Sequence, residues 1–164
     1  MPHAKICLFP HPVLRKPCQK VEAFDASIEQ LLKVLVQTMK LQPSGIGIAA
    51  PQIGVSLRVA IVDVSERVKK AERMCLINPV ILEKKDEILS REGCMSLPDY
   101  TANIKRAERL VLKWQDLGLK DHQMAVEGLE ARCIQHEVDH LNGMLFVDRA
   151  ASLKSDVFRR KRYL

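Results

Sequence analysis

Apolar residues recur at two different spacings along this chain, and the switch between them marks out its elements. Ile28, Leu31, Leu32, Leu35, Val36 and Met39 fall three or four apart, the period of a one-faced amphipathic helix. Asp25 stands where a cap belongs, and the helix must stop before Pro43. Gly45 and Gly47 then mark an irregular stretch. Alternation takes over in residues 57–64, rich in valine and isoleucine, and predicts a strand. Further strands are predicted at 74–82, 85–90, 104–106 and 110–115, with an extended start at 5–9. A turn over 116–121 leads back through 123–126. Helical spacing resumes near Gly128 and closes at Asn142 and Gly143, where glycine suits the left-handed closing residue.

The second helix has two occupied sides. Ile134, Val138 and Leu141 form one apolar stripe, while Leu129, Cys133, His136 and His140 form another, well over a quarter-turn away. A helix wanted on both sides is buried. The expected fold is therefore α+β, with antiparallel sheets surrounding a central buried helix.

Length and composition fit this picture. A chain of 164 residues suits a single domain spanning 1–164, and 47% hydrophobic with 28% charged residues is ordinary for a globular protein. No apolar run approaches a membrane span, and the start, broken by His3, Lys5, Pro10 and Pro12, lacks a signal-peptide block. These features predict a cytoplasmic protein with no membrane partner. Its five scattered cysteines then read as thiols or metal ligands rather than disulfides. Of the +6 formal charge, much lies in a short basic tail from about residue 151, with Lys154, Arg159, Arg160, Lys161 and Arg162 against Asp156. Such a tail is either a solvated terminal helix or an anchor for a polyanion such as RNA.

The candidate chemistry sits on the second helix, in His136-Glu137-Val138-Asp139-His140. Residues four apart share a helix face, so the two imidazoles can grip one metal ion while Glu137 reaches a water beside it. That arrangement points to metal-assisted hydrolysis of an amide. A catalytic metal wants a third protein ligand, with one coordination position left for water. One protease class supplies it by continuing to HExxHxxGxxH; here Gly143 is in place, but the last position is Phe146. Another class uses a downstream glutamate, and none follows Glu137. The search therefore turns upstream, to two cysteines. Cys133 shares the histidine face, but its side chain leans toward the helix start and reads better as a core thiol. Cys94 lies in the bend Arg91-Glu92-Gly93-Cys94-Met95-Ser96, where glycine permits a tight turn and the thiol can face inward. A third segment, Gly45 to Gln52, lacks the lysine and Ser/Thr of a phosphate loop. Its small residues suit close approach of a peptide backbone, with Gln52 donating to a carbonyl oxygen. The plainer alternative is a packing turn with Gln52 exposed.

Together these segments resemble the peptide deformylases. The family's marks GxGxAAxQ, EGCxS and HExDH appear in order as GIGIAAPQ (45–52), EGCMS (92–96) and HEVDH (136–140), and the likeness extends from about residue 5 to 149. The resemblance implies that Cys94, His136 and His140 hold one divalent metal, Fe(II) in the cell, with nickel, cobalt or zinc as substitutes. Glu137 would act as general base and then acid, while Gln52 and the backbone N–H of Met95 hold the oxyanion. The reaction would remove the formyl group from the N-terminal formylmethionine of newly made proteins and release formate. Gly45, Ile46, Leu129, Arg132 and Cys133 would flank the methionine side chain, and Gly45 to Gly47 with Glu92 to Met95 would line up the peptide backbone. Two departures stand out. Met95 replaces a leucine where only the backbone is needed, and Thr101 stands where many bacterial members carry an arginine near the outer cleft. The resemblance further implies a monomer, with the basic tail suited to docking on ribosomal RNA. The competing readings are another HExxH metallopeptidase, such as an aminopeptidase, and a non-catalytic Cys-His-His zinc domain. Against the second, a structural zinc normally has four ligands, and Glu137 would have no role.

Overall fold

The computed structural model describes residues 2–161. Its helices are α1 (Ala26–Lys40), α2 (Gly128–Leu141) and the short α3 (Leu153–Asp156). Its strands are β1 (Gly47–Ala49), β2 (Val59–Val62), β3 (Met74–Cys94), β4 (Leu97–Gln115), β5 (Asp121–Glu127) and β6 (Val157–Arg159). All pair antiparallel, in the order β1-β2-β3-β4-β5, with β6 on the free side of the start of β4. The expected α+β architecture is observed, although the strands form one connected sheet rather than several.

The start of that sheet lies between the two long helices. β2 is buried at every position: Val59 and Ile61 pack with Ile28, Leu31, Leu32, Leu35 and Met39 of α1, while Val62 meets the cluster of Ala131, Ile134 and Val138 of α2. Strand alternation makes this possible, since successive side chains leave on opposite faces. The same alternation carries into β3, where Cys75 and Ile77 face α1 and Met74 and Leu76 face α2. α1 starts as expected: Asp25 Oδ1 accepts from the N–H of Ser27 at 2.9 Å and of Ile28 at 3.2 Å. α2 ends at Leu141, and Gly143 follows with φ +74°.

Three sequence expectations change. The strands at 74–82 and 85–90 are one strand, β3, as are 104–106 and 110–115 in β4. Register shifts near Ile77, Ile81 and Gly93 interrupt the ladder locally and bend it without ending it. The glycine-rich stretch contains a strand of its own, β1, so it is not wholly irregular. The basic tail is not a solvated helix: it makes one helical turn and then returns as β6, with Tyr100 paired to Arg159 and Ala102 to Val157. Arg162 of the expected basic cluster lies outside the described residues.

Candidate active site

Three segments converge on one buried point. The first is α2, enclosed by β1, β2, β4 and β5, which leaves Glu137, Asp139 and His140 buried and His136 nearly so. The second is the hairpin between β3 and β4, whose turn at Met95 and Ser96 leaves Cys94 facing inward, 7% exposed. The third is β1 with the tight turn after it, where Gln52 is 1% exposed.

Cys94, His136 and His140 each present a ligand atom within 4.8 Å of the others, with Cys94 Sγ 3.3 Å from His140 Nε2. Cys133 is outside this cluster. Its thiol donates to the Ile46 carbonyl at 3.5 Å, and burial pushes its pKa far up, so it is a protonated wall residue. At Cys94 burial works against a thiolate, but the imidazoles of His140 and His136 outweigh it and hold the thiol well below its usual range. The donor set of one thiolate and two imidazoles fits one divalent metal ion.

Glu137 stands beside the cradle. Burial pushes its carboxyl up to about 7, with His136 and His140 pulling partly the other way. Its Oε2 is buried without a hydrogen-bond partner among the described residues, as is Nδ1 of His140. A buried carboxyl oxygen left open in this way calls for a partner, and a water or a substrate group at the cradle would supply one. Gly47 explains part of the fit, because a methyl group there would collide with Glu137 Oε1 and Cys133 Sγ. Glycine thus lets β1 lie against the motif helix without displacing the Glu137 carboxyl or the Cys133 thiol.

Gln52 is held in place rather than exposed. Its Oε1 accepts from the Ala49 N–H at 3.0 Å, and its Nε2 donates to Ser96 Oγ at 3.2 Å while lying 3.6 Å from Cys94 Sγ. This amide ties the β1 turn to the hairpin. A cavity of about 590 Å³ opens onto the point, and Gly45, Ile46, Gly47, Glu92, Gly93 and Met95 reach it, as do Leu129, Arg132 and Cys133. The tight turn expected in this bend falls at Met95 and Ser96, and Gly93 itself is the second-last residue of β3.

Sequence reasoning missed the polar support behind the histidines. His136 Nδ1 lies 2.8 Å from Glu92 Oε1, so its Nε2 is left for a ligand role. Glu92 accepts from Arg106 at 2.8 and 3.0 Å; Arg106 also donates to Asp139 at 2.6 Å, and Arg149 closes on Asp139 at 2.7 Å. Against the cost of burial, His136 and Arg106 bring the Glu92 carboxyl down to about 2. The glutamate thus faces inward to orient a ring, although it borders the cavity. One signal was available: Ala102, Ile104 and Arg106 share the inward face of β4, and a cation at such a position requires buried carboxylates.

A cradle of one thiolate and two imidazoles on a buried HExxH helix, with a carboxylate beside it, defines a metal-dependent hydrolase. Comparison with known proteins narrows this further. The profile of the polypeptide deformylase family matches residues 3–156. A peptide deformylase from Thermodesulfovibrio yellowstonii is 40% identical over 153 residues, covering 93% of this chain and 92% of its own. The crystal structure of a peptide deformylase from Legionella pneumophila superposes with a TM-score of 0.85 at 41% identity, covering 92% of this chain and 88% of the other. That of Ehrlichia chaffeensis, in complex with actinonin, gives 0.86 at 33% identity over 94% and 92%. The chain belongs to the polypeptide deformylase family.

Proposed function

We propose that this chain removes the formyl group from the N-terminal formylmethionine of newly synthesised proteins and releases formate. The single observation that carries this reading is the Cys94, His136 and His140 cradle with the open Oε2 of Glu137 beside it. Family membership adds the substrate class.

Cys94 Sγ and the two imidazoles would hold one divalent metal, Fe(II) in the cell, with zinc, nickel or cobalt as substitutes. Such an ion, when bound, polarises the scissile carbonyl and lowers the pKa of water from about 15.7 toward roughly 7. Glu137 takes a proton from the attacking water through Oε2 and returns it to the departing amine. Gln52 Nε2 carries two N–H donors; one meets Ser96 Oγ and the other donates to Cys94 Sγ, which puts it at the cradle, where it would turn to the developing oxyanion together with the Met95 N–H. Glu92 keeps the His136 ring in one orientation.

Substrate choice follows from the walls. Ile46 and Leu129 pack against the α2-side core, and with Cys133 and the stem of Arg132 they offer an apolar slot for a methionine side chain. A formyl group is the smallest acyl group, so a tight space beside the cradle refuses acetyl on size. Beyond the methionine, Gly45 to Gly47 and Glu92 to Met95 have no strand partner on their cavity sides among the described residues and can pair with an extended peptide.

We place residues 1–164 in one catalytic domain, acting as a cytoplasmic monomer; Cys94 at the end of β3 and the two histidines of α2 complete the ligand set within a single chain. No helix among the described residues is long and apolar enough to cross a membrane. Lys154, Arg159 and Lys161 are exposed and suited to ribosomal RNA, whereas Arg160 turns toward the cavity. The triple substitution K154A/R159A/K161A should weaken salt-sensitive co-sedimentation with ribosomes, and unchanged co-sedimentation removes the docking role.

The decisive experiment is anaerobic assay of metal-loaded protein for formate release from a formyl-Met peptide, against cleavage of the same peptide without the formyl group. Formate release alone supports the deformylase; cleavage of the unblocked peptide alone indicates an aminopeptidase. Actinonin, bound by the Ehrlichia relative, should suppress the formate signal.

A further inference from the structure

The outer face of the β3–β4 hairpin carries a feature that the chemistry at Cys94 leaves unused. Glu92 and Cys94 turn inward to the histidines of α2, so Arg91 and Gly93 leave on the opposite face of the strand. Arg91 is exposed and borders the cavity, three residues before the cysteine. Its cross-strand neighbour is Asn103, whose Oδ1 accepts from Arg91 Nε at 2.7 Å. Thr101 Oγ1 accepts from Nη1 at 3.3 Å. Thr101 is in turn paired with Phe158 of β6, and the Phe158 ring lies against the guanidinium, 4.0 Å from its centroid to Arg91 Cζ.

These contacts hold the guanidinium as a fixed plate. Asn103 and Thr101 anchor it by the edge and the Phe158 ring covers one side, which leaves the other side for a ligand. A peptide whose formyl group lies at Cys94 runs from there along the cavity edge of β3 toward Arg91, antiparallel to the strand. Its methionine side chain enters the slot on the α2 side, beside Leu129 and Cys133. In an extended chain the next side chain leaves on the opposite face, the face that carries Arg91. Position two of the peptide is therefore the one that meets the plate.

We infer that Arg91 is a specificity-determining residue that favours formylated peptides with an aromatic side chain at the second position, stacked on the guanidinium face opposite Phe158. The inference rests on the deformylase reading. A guanidinium meets an aromatic ring both through its charge, against the negative face of the ring, and through its planarity. A lysine offers the charge without the plane. A saturated ring of similar size has no π face, so it separates stacking from plain apolar contact.

The test measures kcat and KM for formate release from C-terminally amidated formyl-Met-Xaa-Ser, with phenylalanine, cyclohexylalanine or aspartate as Xaa. The proteins compared are the wild type, R91M, R91K and F158L. The wild type should favour phenylalanine over cyclohexylalanine by about two- to fivefold, the size of an exposed cation–π contact, expressed in KM. R91M keeps the stem but not the plate and should bring that ratio close to one. R91K should retain part of it, and F158L, which removes only the backing ring, should lower it less than R91M does. A purely structural role for Arg91 would instead change both ring-bearing peptides by the same factor. Equal use of the two rings by the wild type, or survival of the full preference in R91M, overturns the inference. So does an aspartate peptide that the wild type uses better than the phenylalanine one and R91M does not, since the guanidinium would then act by its edge. Failure of the wild type to release formate from any of the three peptides would overturn the deformylase reading itself.

Discussion

Two residues of the cradle separate binding from turnover. Cys94→Ala removes the one thiolate of the set, so metal content and formate release should fall together, as measured by elemental analysis and assay. Glu137→Ala leaves all three ligand atoms in place; metal content should persist while kcat drops by roughly 10²–10⁴. Undiminished turnover in that variant would remove the proton-shuttle role. Arg106 gives a stability counterpart. It is 4% exposed and faces the carboxylates of Glu92 and Asp139, so Arg106→Met removes the cation they share and leaves Glu92 to His136 and Asp139 to Arg149. The expected cost is about 3–5 kcal/mol, read from the urea midpoint, together with weaker metal retention as His136 loses its fixed orientation. The ligands were legible in the sequence because their spacing and type are intrinsic to the motif. Arg106 and Asp139 were not, since their meaning depends on which strand faces which helix.

At the scale of elements, what the sequence disclosed depended on burial. α1 was legible from its cap to its last turn because one side meets the core and the other meets solvent. β3 was read as two strands because residues 82–89, including Glu83, Lys84, Lys85, Asp86 and Glu87, are all exposed. There the hairpin runs past the core, neither face is buried, and the alternation that signals a strand has no cause. β6 escaped notice for a related reason: three residues with one partner strand leave almost no pattern. Gly143 supplies an element-scale test. Its φ of +74° suits the residue after α2, and an added Cβ would lie 2.6 Å from the Arg15 carbonyl oxygen. Gly143→Ala should therefore lower stability by more than about 1 kcal/mol in chemical denaturation. A neutral result would mean that the turn relaxes freely.

For the molecule as a whole, the proposed ferrous ion beside the Cys94 thiolate would give a protein whose activity decays in air. Both partners can oxidise, and the zinc-loaded form should decay more slowly because only its sulfur can. Indifference of iron-loaded protein to oxygen would count against that metal or that ligand.

The enclosure of α2 by four strands also bears on motion. A helix packed in this way cannot fray into solvent while its neighbours stay put, so its backbone amides can meet water only when much of the sheet opens with it. Deuterium uptake at residues 134–141 should therefore be among the slowest in the chain and should track the global unfolding free energy. The two imidazoles that grip the ion would then be carried by the part of the molecule that yields last.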